Sequence, residues 1–183
     1  MEPTDTDLVK RRTALLILLS CLAMAAAGLA SGATLGDGTL SVRNGDGQLR
    51  LVLERGVAIG RIGSGTLTVV NPQSGFCDDL LVWDDGERAE PLPVLVDKTL
   101  PVELRCIYKG TNMRFRLGGP DGVILRIPAA TSISLSAVGT GSGRIKGLPF
   151  DVADGTYAAN GDDYTSLPDD WKAFQLPAPN SGE

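Results

Sequence analysis

Four acidic doublets are the densest concentration of potential chemistry in this chain: Asp78-Asp79, Asp84-Asp85, Asp162-Asp163 and Asp169-Asp170. Two carboxylates flanking a glycosidic bond at a set separation are what a glycoside hydrolase needs. Neighbours in an extended chain point to opposite sides, so one doublet is not such a pair. Two doublets brought together by folding would be. The plainer reading is solvated loop charge. Oxygen-rich turns also suit calcium, and "NGDG" (44–47) and "NGDD" (160–163) are stretches of that kind, though neither has the ligand spacing of a calcium loop. Histidine is absent from all 183 residues. That removes imidazole base catalysis and the commonest metal ligand. No catalytic, metal-binding or cofactor-binding set emerges.

"GVAIGRIGSGTLTVV" (56–70) has the glycine density of a phosphate-cradling loop. A dinucleotide site needs such a loop to follow a strand and open a helix, whose N-terminus then holds the phosphates. Here the glycines lead into "TLTVVNP", which is β-branched, short and stopped by Pro72. A kinase-type glycine loop would need a histidine-containing catalytic loop downstream, and there is none. A second glycine run, "GTGSG" (139–143), stands at the matching place later in the chain. Both are read as structural turns, with a bulge expected at Gly60 or Gly63 because alternation slips between Ile59 and Ile62.

Two further groups remain. Tyr157, Tyr164, Trp171 and Phe174 crowd the C-terminal stretch, either as an aromatic binding patch for a sugar or peptide or as the closure of one end of the core. Cys77 and Cys106 are the cysteines outside the N-terminal segment. Their fate depends on the compartment.

The compartment is indicated by the first 33 residues. Lys10, Arg11 and Arg12 precede "TALLILLSCLAMAAAGLA" (13–30), eighteen uncharged and mostly apolar residues. A basic flank before an apolar helix places the rest of the chain on the far side of the membrane. Residues 1–33 are read as a signal peptide or a signal-anchor transmembrane helix, and if uncleaved they tether the chain to the membrane. Lipidation at Cys21 is a third route. Export puts Cys77 and Cys106 where thiols oxidise, and a disulfide between them is expected. The segment carries three basic and three acidic residues, leaving 17 − 3 = 14 basic against 22 − 3 = 19 acidic, still −5. That balance argues against a nucleic-acid partner.

These residues are positioned by strands. From Gly36 onward period-two alternation recurs between turn words. "TLSVR" leads through "NGDG" into "QLRLVLE", where Leu49, Leu51 and Leu53 share one face. The grammar returns later: Met113, Phe115 and Leu117 alternate with arginines, and Ile133, Leu135 and Ala137 alternate with serines. The order near 39–70 recurs near 112–147 as a degenerate duplication. The expected fold is all-β over 34–176: an antiparallel β-sandwich or closed barrel of two similar four-stranded halves, after an N-terminal apolar helix. A short β-solenoid is the alternative, and residues 177–183 are expected to be a disordered tail.

The string "GTLSV…GRIGSGTLTV…GTNMRFRL…ISLSAVG…DGTY", over roughly residues 36–168, resembles a group of uncharacterised, exported, β-rich bacterial proteins. The resemblance implies an all-β fold and carries over no catalytic residues. The chain is thus read as an exported or membrane-tethered module with a binding or structural role in the cell envelope, its partner an envelope glycan or protein. A carboxylate-dependent hydrolase acting on envelope polymers is the alternative.

Overall fold

A computed structural model of the chain describes residues 37–72, 75–96, 103–119, 122–148 and 155–177. The chain divides into Met1–Ala33 and Thr34–Glu183, and all described residues fall in the second unit. The expected leader helix, Cys21 and residues 178–183 of the expected tail lie outside the described residues.

Strands dominate, as the alternating pattern and the turn words require. They are β1 (Gly38–Val70), β2 (Leu81–Asp84), β3 (Glu87–Arg88), β4 (Leu92–Val96), β5 (Glu103–Gly119), β6 (Val123–Gly147), β7 (Thr156–Ala159), β8 (Thr165–Ser166) and β9 (Lys172–Leu176). One 3-10 turn, Cys77–Asp79, follows β1. All the pairings are antiparallel, in the order β3-β2-β5-β1-β6-β9, with β4 on β5 and β7–β8 on β1. The sheet does not close, so the barrel alternative is not what forms.

The registers show what the three long strands do. Residues 56–61 of β1 lie between 119–114 of β5 and 139–134 of β6, and the same β6 stretch pairs on its far side with 38–42. Residues 48–53 instead lie between 146–141 and the 127–123 stretch of β6, while 68–70 pair with 126–124 and with 107–105. Each long strand therefore alternates between two ladders. The first holds β2, 113–119, 56–62, 134–139, 38–43 and β7. The second holds β4, 105–111, 64–70, 123–131, 48–53, 141–147 and β9. This differs from the expected pair of separate four-stranded halves. The similar stretches 39–70 and 112–147 interleave strand by strand, because each pairs with the other rather than within itself.

Glycines stand where strands pass between ladders. Gly56 and Gly139 are directly opposite each other, with φ of +130° and +151°. A Cβ on Gly56 would lie 2.1 Å from the Val138 carbonyl oxygen, and one on Gly139 would lie 2.0 Å from that of Arg55. Only glycine allows both the backbone angle and the approach. Gly60 is different. Against β5 the register of β1 is unbroken from Gly56 to Val70, so no bulge forms at Gly60 or Gly63. Against β6 the offset changes by one between Gly65 and Thr68. Ile59 faces outward and Ile62 inward on regular alternation; an apolar residue on the outer face merely imitated a slip.

One core serves both ladders. Leu49, Leu51 and Leu53 from the second and Phe115, Leu135 and Ala137 from the first are buried in the same cluster. Each fully buried leucine contributes roughly 1.5–3 kcal/mol. A disulfide joins Cys77 to Cys106, with Cα atoms 5.4 Å apart. Beside it the buried Tyr108 hydroxyl donates to the Cys77 carbonyl at 3.0 Å. Burial pushes the phenol up to about 12, against the opposing pull of Arg88.

Candidate functional site

The C-terminal stretch places β7, flanked by the two-residue β8, beside β1 in the first ladder and β9 on the edge of the second. Asn160, the first residue of "NGDD", joins the two. It sits in the left-handed region at φ +55°, which asparagine tolerates because its short amide bonds locally. Its backbone N–H donates to the Thr39 carbonyl at 2.7 Å. Its side-chain oxygen accepts from the Thr39 N–H at 3.3 Å, and its Nδ2 donates to the Gln175 carbonyl at 2.8 Å. The end of β7 and strand β9 are thereby fastened across a cleft.

That cleft has a volume of about 390 Å³, and its lining includes Tyr157, Asn160, Asp162, Asp163, Lys172 and Phe174. Tyr157 is buried beside the cleft, with the Lys172 ammonium 5.8 Å from its ring centroid. Phe174 is half-buried against the core; a Cβ on Gly143 opposite it would lie 2.4 Å from the Phe174 ring. Aromatic surface, amide groups, carboxylates and one ammonium thus meet in one concavity.

The four aromatic residues singled out in the sequence do not make a single patch. Tyr157 and Phe174 share the cleft. Tyr164 is 38% exposed and lies on the first ladder's outer side: its hydroxyl donates to Ser41 Oγ at 2.7 Å, and the Arg43 guanidinium stands 3.7 Å from its ring centroid. Trp171 is 41% exposed and lies beside Arg144 of the second ladder, 4.6 Å from guanidinium to ring centroid. Core closure and exposed display, weighed as alternatives, are divided among these side chains.

The acidic doublets also have separate tasks. Asp84 accepts from the Thr111 N–H at 3.0 Å, and Asp85 accepts from the Thr111 hydroxyl at 3.1 Å and from Asn112 Nδ2 at 2.9 Å. This pair holds the corner where β5 changes ladder. The Asp78 carbonyl accepts from the Arg88 guanidinium, and Asp170 lies 3.7 Å from Lys146 Nζ. Asp162-Asp163 is the doublet that faces the cleft, and the rest of the cleft's described lining brings no further carboxylate. Among the described residues no group of three metal-ligating side chains forms. In "NGDG" the Asp46 carboxylate accepts from the Ser132 N–H at 2.7 Å, and Asn44 exchanges hydrogen bonds with the Ser134 hydroxyl. The glycines of 56–65 lie within β1, and among the described residues no α-helix follows them.

Asn160, Lys172 and Gln175 escaped the sequence reading as site residues. The asparagine was visible as a turn residue, but its long-range partners were not. The arginines of the outer faces were also read simply as polar positions of alternating strands. Among the described residues no helix is long and apolar enough to cross a membrane. The chain matches no family model, no curated protein and no solved structure.

Proposed function

We propose that the chain is an extracytoplasmic β-sandwich module that binds an envelope glycan in the cleft between β7 and β9. The observation that carries this reading is the cleft itself: two aromatic rings beside amide, carboxylate and ammonium groups, in about 390 Å³ at an edge where the sheet is open. Sugars offer an apolar ring face and a rim of hydroxyls, and this lining complements both. Location outside the cytoplasm is supported by the disulfide, the apolar leader and the resemblance to exported β-rich bacterial proteins. Two ladders sharing one core support the sandwich description. The leader serves as signal or anchor, so an uncleaved chain is tethered to the membrane.

The hydrolase alternative has one supporting feature, the placement of Asp162 and Asp163 on the cleft wall. They are sequence neighbours, and hydrolysis requires a carboxylate on each side of the scissile bond. Binding is therefore the better reading.

The test is retention of the full-length chain on immobilised polysaccharide extracted from the bacterial envelope. Wild type should be retained, and Lys172→Gln with Asp163→Asn should weaken retention about tenfold through lost charge-assisted hydrogen bonds. Equal elution of wild type and variant would overturn the cleft assignment. Release of shortened oligosaccharides on incubation would support the hydrolase instead.

A further inference from the structure

The outer face of the second ladder carries an arrangement of charge that folding alone disfavours. Arg50 on β1 stands directly opposite Arg126 on one side and directly opposite Arg144 on the other, both on β6. Adjacent strands lie about 4.8 Å apart, so three arginine stems stand in a row about 10 Å long across the strands. Like charges directly opposite each other destabilise a sheet. Among the described residues none of the three makes a salt bridge, although the chain has five more acidic than basic residues. The Nε of Arg126 is buried without a hydrogen-bond partner.

The ground beside the row is shaped for a ligand. Arg50 and Arg144 line a groove of about 280 Å³, whose other side chains include Ser142, Ala173 and Gln175. Trp171 lies against the Arg144 guanidinium, which fixes the planar fork while leaving the ring 41% exposed. Arginine rather than lysine at all three places suits bidentate capture of carboxylates.

We infer that this row is the binding site of a carboxylated polysaccharide, laid across the strands with its carboxylates on Arg126, Arg50 and Arg144 and a sugar face on Trp171. The inference rests on the glycan-binding reading above and adds a second surface for the polymer, which shares Ala173, Phe174 and Gln175 of β9 with the cleft, and the polymer's charge class. A hydroxyl, an amide and two guanidinium groups, one of them held against Trp171, in a groove favour a polyhydroxylated anion over a bilayer surface, which would meet projecting apolar side chains.

The experiment measures affinity of the full-length chain for polygalacturonate and for its methyl ester, which has the same backbone without the charge. Wild type should prefer polygalacturonate, and the preference should fall with salt. Arg50→Gln with Arg144→Gln should weaken binding to polygalacturonate about tenfold or more and leave the ester unchanged. Arg61→Gln serves as a charge control: it removes one arginine of the other ladder's opposed pair, Arg61 and Arg114, and should change affinity less than about twofold. An undiminished double variant, or an equal loss in the control, would overturn the assignment. So would sedimentation with vesicles of equal phosphatidylglycerol and phosphatidylcholine that the double variant loses while polygalacturonate goes unbound; that result assigns the face to a membrane. Retention on envelope polysaccharide without preference for polygalacturonate over its ester overturns this inference and leaves the cleft standing.

Discussion

The ring of Phe115 lies over Gly60 on the neighbouring strand, so closely that a Cβ at residue 60 would stand 2.7 Å from its Cζ and 2.8 Å from the Ser134 carbonyl oxygen. The glycine makes room for an aromatic side chain of the core, and that need accounts for it without any phosphate. Gly60→Ala should lower stability by about 1–3 kcal/mol through overpacking. Phe115→Leu in the same chain should recover only part of the loss, because the carbonyl remains in the way. Chemical denaturation of the single and double variants checks both expectations.

The disulfide spans a sequence separation of 29 residues and ties the 3-10 turn to β5. In the loop-closure account it stabilises the fold by about 3.5 kcal/mol. Replacing Cys77 and Cys106 together with alanine should remove an amount of that order from the unfolding free energy. Mass spectrometry of the native protein after alkylation without reduction should find neither Cys77 nor Cys106 labelled.

Tyr108 links folding to alkaline pH. Burial raises its phenol from 10.0 to about 12, so the folded state holds the proton more tightly than the unfolded chain does. The associated stability is complete below pH 10 and is lost as pH rises from there through about 12. A pH series of melting temperatures should show this fall, and Tyr108→Phe should flatten it. The variant should also cost about 1 kcal/mol at neutral pH, because the Cys77 carbonyl loses its donor.

Asn160 fastens β1 to β9 with one side chain. Asn160→Ala should cost about 1–3 kcal/mol, since the side-chain bonds to the Thr39 N–H and the Gln175 carbonyl go and alanine is strained at φ +55°. Asn160→Gly relieves the strain alone. Amide exchange should speed up in β9 in both variants and leave the buried β1 segment around Leu51 unchanged.

The arginine row carries a stability cost that binding would offset. Arg50→Gln removes a like-charge contact on each side, so its unfolding free energy should rise by about 0.2–1 kcal/mol per contact at low salt. The gain should shrink at 1 M salt, where the Debye length is about 3 Å. A stabilised variant that binds less would show that the wild-type charges are kept for a ligand.

Alternation and turn chemistry are local, and they were legible in the sequence. Leu49, Leu51 and Leu53 share a buried face because side chains repeat every two residues along a strand, whatever the strand pairs with. Asn44, Asp46 and Gly56 stand at corners because their backbone or side-chain chemistry suits corners. Two cysteines outside the N-terminal segment had few alternatives to each other. What tertiary structure alone decided was pairing. The similarity of 39–70 to 112–147 left open whether each stretch folds on itself or the two interleave, since either choice satisfies the same alternation. Interleaving is what sets Arg50 between Arg126 and Arg144, carries Trp171 away from Tyr164, and brings Asn160 to both Thr39 and Gln175. Such juxtapositions depend on the registers of distant strands, and no periodicity within one strand encodes its neighbour across the ladder.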